Sequence, residues 1–490
     1  MISVLKKVFF MAVKILNFSQ DDLYLISNKI LDIAKKNGAT ASEVEISVSK
    51  GKTIASRMGD LENIELNNGK SLSVTVFFNH HQGIASTSDF SDDALESCVI
   101  AACKIAKHTA EDKAFGLADP KLYSKNIKDL NIYDPSFDSQ ELMIQKVLEC
   151  EDYALNFDSQ ITNSEGAQLS TSENLFVYLN SAGFAGGYPS SRSSLSCSVV
   201  AKSDSGMQRD YSYSSSRSYK DLKPTMVIGK DAAHRAIKRL DVKPIKTGKY
   251  PVIFEAPIAT SIISSLIAAI SGRNLYRETS FLLDSLDTKI ASDSLSIIEN
   301  PFLRKGHASS NFDDEGVYLA KKNILDKGFL KSYLLSSYSA RKLGMQTTGN
   351  SGGAHNLIVS TSNKTLEELV SGIDKGILIT ELLGHGLNMV TGDYSRGAAG
   401  FWIESGKIQH AVEEITIASN IKDMLLNIKA ISNDIYQNSS KYTGSIMIEP
   451  MTVAANTWTT LIINYSAWEI FCVLEFSVEI VSLNSSVYAS

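Results

Sequence analysis

Eight histidines, five cysteines and three glycine-dense segments are the places where this chain could do chemistry, because these residues bind metals, attack substrates or let a backbone approach a ligand. A zinc-holding helix presents two histidines roughly three to five residues apart, with an acid close by. His80, His81, His108, His234, His307, His355, His385 and His410 never fall at that spacing. His355 in TTGNSGGAHN (347–356) and His385 in ELLGHGLNMVTG (381–392) lie in glycine-rich loops that a fold can bring together, but no third ligand stands out. A serine nucleophile needs a strained turn such as G-x-S-x-G, which is absent. Ser395, beside Asp393 and Arg396 in GDYSRGAAGFWIESGKI (392–408), has no apparent base and reads first as a turn former. No G-x-x-x-x-G-K-[ST] phosphate loop exists, and GHGLNMVTG lacks both the third glycine and the βαβ setting of a dinucleotide site. NFDDEG (311–316) lacks the spaced ligands of a calcium loop and reads as a solvated turn. DSGMQRDYSY (204–213) reads as a hairpin with a polar tip.

The elements that would position these residues follow from periodicity. Ser19 with Asp22 starts a helix whose apolar positions Leu23, Ile26, Ile30, Ile33 and Ala34 run to Gly38. Val44, Ile46 and Val48 then alternate with polar residues, and Leu72, Val74, Val76 and Phe78 alternate after an NNGK turn predicted at 67–70. Ser91, Asp92 and Asp93 open a second helix with Leu95, Cys98, Val99, Ala102, Ile105 and Ala106 on one face. LFVYLN and SLSCSVVA are further strands, and another helix falls near 227–240. DVKPIKTGKYP (241–251), with two prolines and three lysines, is the predicted linker. The expectation is an α+β protein of two domains: N-terminal helices packed on an antiparallel sheet over 19–240, after an extension at 1–18, and a mostly β domain with helices over 252–455.

Net charge −6 and a pI near 5.8 argue against direct nucleic-acid binding. Cys98, Cys103, Cys150, Cys197 and Cys472 are odd in number and form no C-x-x-C pair, which fits free thiols in a reducing compartment, with Cys98 and Cys103 buried. At the start, MISVLKKVFFMAVKILNF is interrupted by Lys14 and followed by no A-x-A-like cleavage site, so a cytoplasmic protein is expected, with Met11 an alternative first residue. The hydrophobic tail, 456–490, contains no Lys or Arg, but Glu469, Glu475 and Glu479 spoil it as a membrane span. Its weak alternation suggests edge strands or sequence foreign to the fold.

Six blocks, VYLNSAGFAGGYPSSRSSLSCSVVA, GMQRDYSYSSSR, YRETSFLLDSL, GHASSNFDDEGV, LLSSYSARKLGMQTTGNSGGAHN and TGDYSRGAAGFWIESGKIQHAVEEITIASNIKDML, occur in that order. They resemble the PmbA/TldE family, historically called modulators of DNA gyrase, over roughly residues 20–450. The resemblance implies a cytoplasmic protein that pairs with a homologous TldD-like subunit in a zinc metalloprotease acting on unfolded or leader-type peptides. TldD-like members carry His-Glu-x-x-x-His on the zinc helix. The equivalent stretch here, IATSIISSLIAAISG (Ile258–Gly272), has no His, Glu or Cys. Zinc is therefore expected in the partner, with no metal ligand and no catalytic residue in this chain. The family's chains end soon after the position of Ile448, so the tail and the first ten residues have no counterpart.

On this reading Gly392, Asp393, Tyr394, Ser395, Arg396 and Gly397, with Gly352, Gly353 and His355, are the expected substrate- or partner-binding residues. Their glycines would leave main chain exposed for an extended peptide to pair with, while Phe401 and Trp402 pack the segment down or meet the partner. The competing structural reading is a glycine-rich hairpin wholly inside its domain. Two functional alternatives stand beside the peptidase subunit: a non-proteolytic regulatory protein of the DNA gyrase system, and an autonomous metalloprotease using His355, His385 and a further ligand.

Overall fold

The computed structural model describes residues 13–455, so the predicted tail at 456–490 lies outside the described residues. Alternating apolar residues in the first half build one antiparallel sheet. Its strands are β1 (Ala41–Arg57), β2 (Asp60–Phe78), β3 (His81–Thr87), β4 (Ile161–Asn180), β5 (Ala185–Ser203) and β6 (Gly206–Ser216), in the spatial order β3-β2-β1-β4-β5-β6. The turn predicted at 67–70 is not there. Met58 and Gly59, with φ of 53° and 84°, make a two-residue connection whose twist suits a hairpin. NNGK runs extended inside β2, where Asn67 faces Gly51 and Lys70 faces Val48.

Four helices cover one face of this sheet. α1 (Gln20–Lys36) starts at the predicted capping box, Ser19 and Asp22 each satisfying the other's backbone N–H. α2 (Asp92–His108) buries Leu95, Cys98, Val99, Ala102, Cys103 and Ala106. Ile105 was expected on that face but is 48% exposed, because the helix turns Cys103 inward instead. α1 and α2 pack on Val44, Ile46, Val48, Leu175 and Val177. α3 (Gln140–Leu155) and α4 (Thr225–Lys238) pack on Ile54, Leu169 and Leu195 farther along the same strands. The opposite face carries Glu43, Tyr178 and Tyr188, and there the second domain docks.

The second domain is organised around a closed barrel. Strands β7 (Gly248–Phe254), β11 (Lys375–Leu383), β12 (Asp393–Glu404), β13 (Lys407–Asn420), β14 (Ile428–Ile431) and β15 (Ile446–Ala455) follow the order β13-β12-β11-β7-β15-β14, and a β13–β15 pairing closes the ring. α5 (Ala256–Ala269) follows β7 and buries Ala259, Ile262, Ile263 and Leu266 in the large core shared with the barrel. A smaller sheet holds β8 (Ile297–Glu299), β9 (Lys322–Asp326) and β10 (Leu357–Val359). Guanidiniums join the two domains: Arg235 of α4 bonds Glu255 at 3.0 Å, and Arg217, just past β6, donates to the carbonyls of Gly306 and His307. Layered helices on an antiparallel sheet plus a β-rich second unit is the α+β arrangement expected from the sequence.

Candidate functional site

A buried carboxylate organises the first glycine-rich loop. Glu299, at the end of β8, is 1% exposed. Its Oε1 accepts from the backbone N–H of His355 (2.7 Å) and from Asn350 Nδ2 (2.9 Å), and lies 3.1 Å from His355 Nδ1. Its Oε2 faces Lys322 Nζ at 3.1 Å. Burial alone would raise the Glu299 pKa, but the His355 hydrogen bonds and the Lys322 charge together hold it below the usual carboxylate range. His355 is thus committed to shaping its own loop. Gly352 serves the same end, with φ 86° and so little room that a Cβ would stand 2.1 Å from the Asp314 carboxylate. Gly353, φ 108°, has open space around it.

Asp314 belongs to NFDDEG, and the segment is not the solvated turn its polarity suggested. Asn311, Phe312 and Asp313 are buried where the two domains meet. The Asp313 carboxylate accepts N–H bonds from Glu315, Val317 and Ser351, yet burial and then the neighbouring Glu315 charge push its pKa up to about 7. Across the seam, Glu43 of β1 accepts the Tyr178 hydroxyl at 2.8 Å and is likewise pushed up to about 7, chiefly by burial. Glu43, Glu315, Phe77, Phe115 and Tyr338 line a cavity of about 200 Å³. Among the described residues no Lys, Arg or His forms an ion pair with Glu43, Asp313, Asp314 or Glu315. Aromatic walls with two carboxylates suit a group rich in hydrogen-bond donors.

The second glycine-rich region forms strand β12 and the loop before it. β12 lies inside the sheet, paired with β11 on one side and β13 on the other. Even its first residues are taken on both sides, since Ser395 N–H donates to Gly386 and Asn388 N–H donates to Asp393. The exposed main chain expected over 392–397 is therefore absent: those donors and acceptors hold the barrel together. Gly392 turns the chain with φ 84°. Asp393 accepts from the Thr391 hydroxyl (2.6 Å), and Arg396 Nη2 donates to the Gly384 carbonyl at 2.6 Å. Tyr394 is buried and burial pushes its hydroxyl up to about 12. Gly397 faces Leu383, and Trp402 stacks edge-on to Tyr250, 5.1 Å between centroids. What remains accessible is side chain, chiefly Leu383 at the end of β11 and His385 and Val390 of the loop that follows it. No hydrogen bond joins this region to the 347–356 loop among the described residues.

The described glycine-rich loops do not assemble a metal site. Among the described residues no three His, Cys, Asp or Glu side chains come together to hold an ion. His355 is buried against Glu299 while His385 is exposed, so the pair invoked for an autonomous metal site shares no ligand set. On α5 the polar side chains Thr260, Ser261, Ser264 and Ser265 all donate back to carbonyls of their own helix. Glu299, Glu43 and Glu315 were missed by sequence reasoning. Glu299 carried a signal, a carboxylate ending the apolar run Ile297–Ile298; Glu43 carried none, because nothing local announces that a second domain covers it, and Glu315 was read as part of a solvated turn.

The barrel, the helix-covered sheet and the glycine-rich loops define a PmbA/TldA-type metallopeptidase architecture. Residues 42–106, 133–240 and 247–455 match domain 1, the central domain and the C-terminal domain of PmbA/TldA metallopeptidases. The chain belongs to the PmbA/TldD family of metalloproteases. It is 41% identical over 420 residues to "Metalloprotease PmbA" of Escherichia coli, covering 86% of this chain and 93% of that protein. A PmbA homolog of Haemophilus influenzae is 41% identical over 427 residues, covering 87% and 94%. A crystal structure from Bacteroides thetaiotaomicron, described as a candidate modulator of DNA gyrase, superposes with TM-score 0.85 at 30% identity, covering 89% of this chain and 99% of that one. TldE from Thermococcus kodakarensis shares the fold, with TM-score 0.77 at 21% identity over 87% and 99%. Among the described residues no helix is long and apolar enough to cross a membrane.

Proposed function

We propose that this chain is the subunit without metal ligands in a two-subunit zinc peptidase, working with a homologous TldD-like chain on unfolded or leader-type peptides in the cytoplasm. The observation that carries the reading is the composition of α5. On the helix where TldD-like members are expected to hold zinc, APIATSIISSLIAA offers apolar side chains and hydroxyls already bonded to the helix itself. The zinc of the partner would supply the Lewis acid and activated water of the hydrolysis. This chain's part is to shape the surface that partner and peptide meet. Arg396, Gly392 and Asp393 fix the 383–391 loop from within the barrel, so that Leu383, His385 and Val390 are presented from a rigid base. The buried Glu299–Lys322–His355 network fixes Gly352 and Gly353 in the same manner.

Zinc content tests the proposal, measured on this chain purified alone and again with its TldD-like partner. The expected result is no bound zinc alone, and one zinc per pair together with peptide cleavage once the partner is present. Stoichiometric zinc and hydrolysis by the isolated chain would overturn it in favour of an autonomous enzyme. Recovery of a topology enzyme with no TldD-like chain from the native cell would instead favour the regulatory role named for the Bacteroides relative.

A further inference from the structure

On the face of the first sheet opposite its helices, one place is bare of large side chains. Asn67 of β2, Gly51 of β1, Ser172 of β4 and Arg192 of β5 stand in a single row across four strands, each facing the next in register. With glycine inside the row and the short side chains of Ser49 and Ser194 beside it, a depression of about 250 Å³ is left, bordered by Arg192. Lys50 and Lys52 alternate to the helix-covered face, where Lys50 pairs with Glu173 at 3.0 Å and Lys52 donates to Gln140 at 3.2 Å. The second domain holds Arg192 ready. His307 Nε2 lies 3.1 Å from the Gln437 carbonyl and so must carry the proton, which leaves Nδ1 as the lone pair that faces Arg192 Nη2 at 3.4 Å. Burial, then the charges of Arg192 and Arg217, push the His307 pKa down to about 4, so the ring accepts without adding a charge. Arg217 spends its nitrogens on the carbonyls of Gly306, Ser191 and His307. No Asp or Glu lines the depression, and none forms an ion pair with either guanidinium among the described residues. Two neighbouring cations without a counter-ion attract an anion.

We propose that this depression binds the C-terminal carboxylate of a peptide, with Arg192 as its charged partner and Gly51 leaving room for the residues that precede it. The source of the ligand rests on the peptidase-subunit reading, while the site itself is built from this chain alone. A guanidinium fork matches a planar carboxylate through two parallel N–H bonds. Because Arg217 is committed to carbonyls, only Arg192 has donors to offer. That balances a singly charged carboxylate and leaves a phosphate dianion under-neutralised. The strands beneath are paired with one another on both sides of Gly51, so their backbone has nothing left for strand addition. Recognition falls to side chains instead. Hydroxyls such as those of Ser49 and Ser194 donate or accept as needed, so they suit the main-chain amides of any sequence. Unfolded or leader-type peptides share a terminal carboxylate and little else, which is the feature this site reads.

Fluorescence polarisation of a labelled peptide on the full chain, purified alone, tests it. The peptide has an acetylated N-terminus and no Asp, Glu or phosphate, and is made once as the free acid and once as the C-terminal amide. The acid should bind about tenfold more tightly than the amide. Arg192→Ala should abolish that difference with thermal unfolding by circular dichroism unchanged, and Arg192→Lys, which keeps the charge but not the fork, should restore only part of it. His307→Phe should weaken binding of the acid and leave the amide as it was, which a general loosening of the fold would not do. Equal affinity for acid and amide, no binding of either, or an acid preference that survives Arg192→Ala would overturn the proposal. So would displacement of the acid by inorganic phosphate at lower concentration than by acetate, since the depression would then be a phosphate site. Zinc, partner and cleavage play no part in this measurement. Zinc found in the isolated chain would therefore sink the subunit reading and leave this result standing, and failure here would leave the zinc result untouched.

Discussion

Glu43 shows how a residue's chemistry can be decided by something far away in sequence. On its own strand it is an ordinary polar-face residue in SEVEISVSK, and that face is legible from the alternation. The docking of 311–316 over it, with no cation alongside, moves its pKa up to about 7, burial being the main cause. Because the folded pKa lies above the unfolded value near 4.5, the folded state holds the proton more tightly, so stability falls as pH rises from about 4.5 to about 7 and stays low above that. Glu43→Gln should therefore be more stable than the native chain at pH 8 by on the order of 2 kcal/mol, and unfold at a higher temperature there. Near pH 4.5 the two should match. A melting series over that range checks it, and equal melting temperatures at pH 8 would mean the carboxylate is well solvated. His355 illustrates the reverse case. Its place in a glycine-rich loop suggested a ligand, and only the structure reveals the buried Glu299 that occupies it.

At the level of elements, the helices and strand faces were readable because each has a period written into it, down to the Ser19 capping box. Connections were not. NNGK has the composition of a turn, but two left-handed residues at Met58–Gly59 already reverse the chain, and a strand continues through 67–70 because β1 supplies partners for every residue of it. The glycines of β12 were read as exposed backbone, whereas Gly400 is a packing residue: a Cβ there would lie 1.9 Å from the Leu378 carbonyl oxygen on the neighbouring strand. Gly400→Ala should cost about 3 kcal/mol in urea unfolding by forcing β11 and β12 apart. Gly397→Ala, whose Cβ would meet only the Leu383 side chain at 3.2 Å, should change stability by about 1 kcal/mol or less. Similar losses for both would show that β11 does not constrain the spacing.

Across the whole molecule, the α+β class and most of the helices and strands of the first half followed from pattern, but α3 and the order of elements in the second domain did not. The barrel's closure did not, because the β13–β15 pairing is a relation between distant strands that no local signal encodes. The domains are tied by Arg235 to Glu255, by Arg217 to the 306–307 carbonyls, and by Arg341 to the carbonyls of Ala114, Gly116 and Leu117. Scanning calorimetry should accordingly show one unfolding transition for the native chain. Replacing Arg217, Arg235 and Arg341 together by Ala should shift it toward two, because these three ties would be lost while each hydrophobic core is left intact and only pairs such as Arg239–Glu381 and Lys342–Asp112 still bridge the domains. A single transition in the triple variant would place the coupling in the aromatic seam around Phe184 and Phe312 instead.

Strand β7 lies between β11 and β15, the latter contributed by residues 446–455. During synthesis the helix-covered sheet has all its strands once Ser216 has emerged, but β7 must wait for almost the entire remaining chain before its second neighbour exists. For that interval the nascent protein carries a finished first half and an open-sided second half, whose bare strand edges are the natural target of holding chaperones and the point at which a premature stop is most damaging.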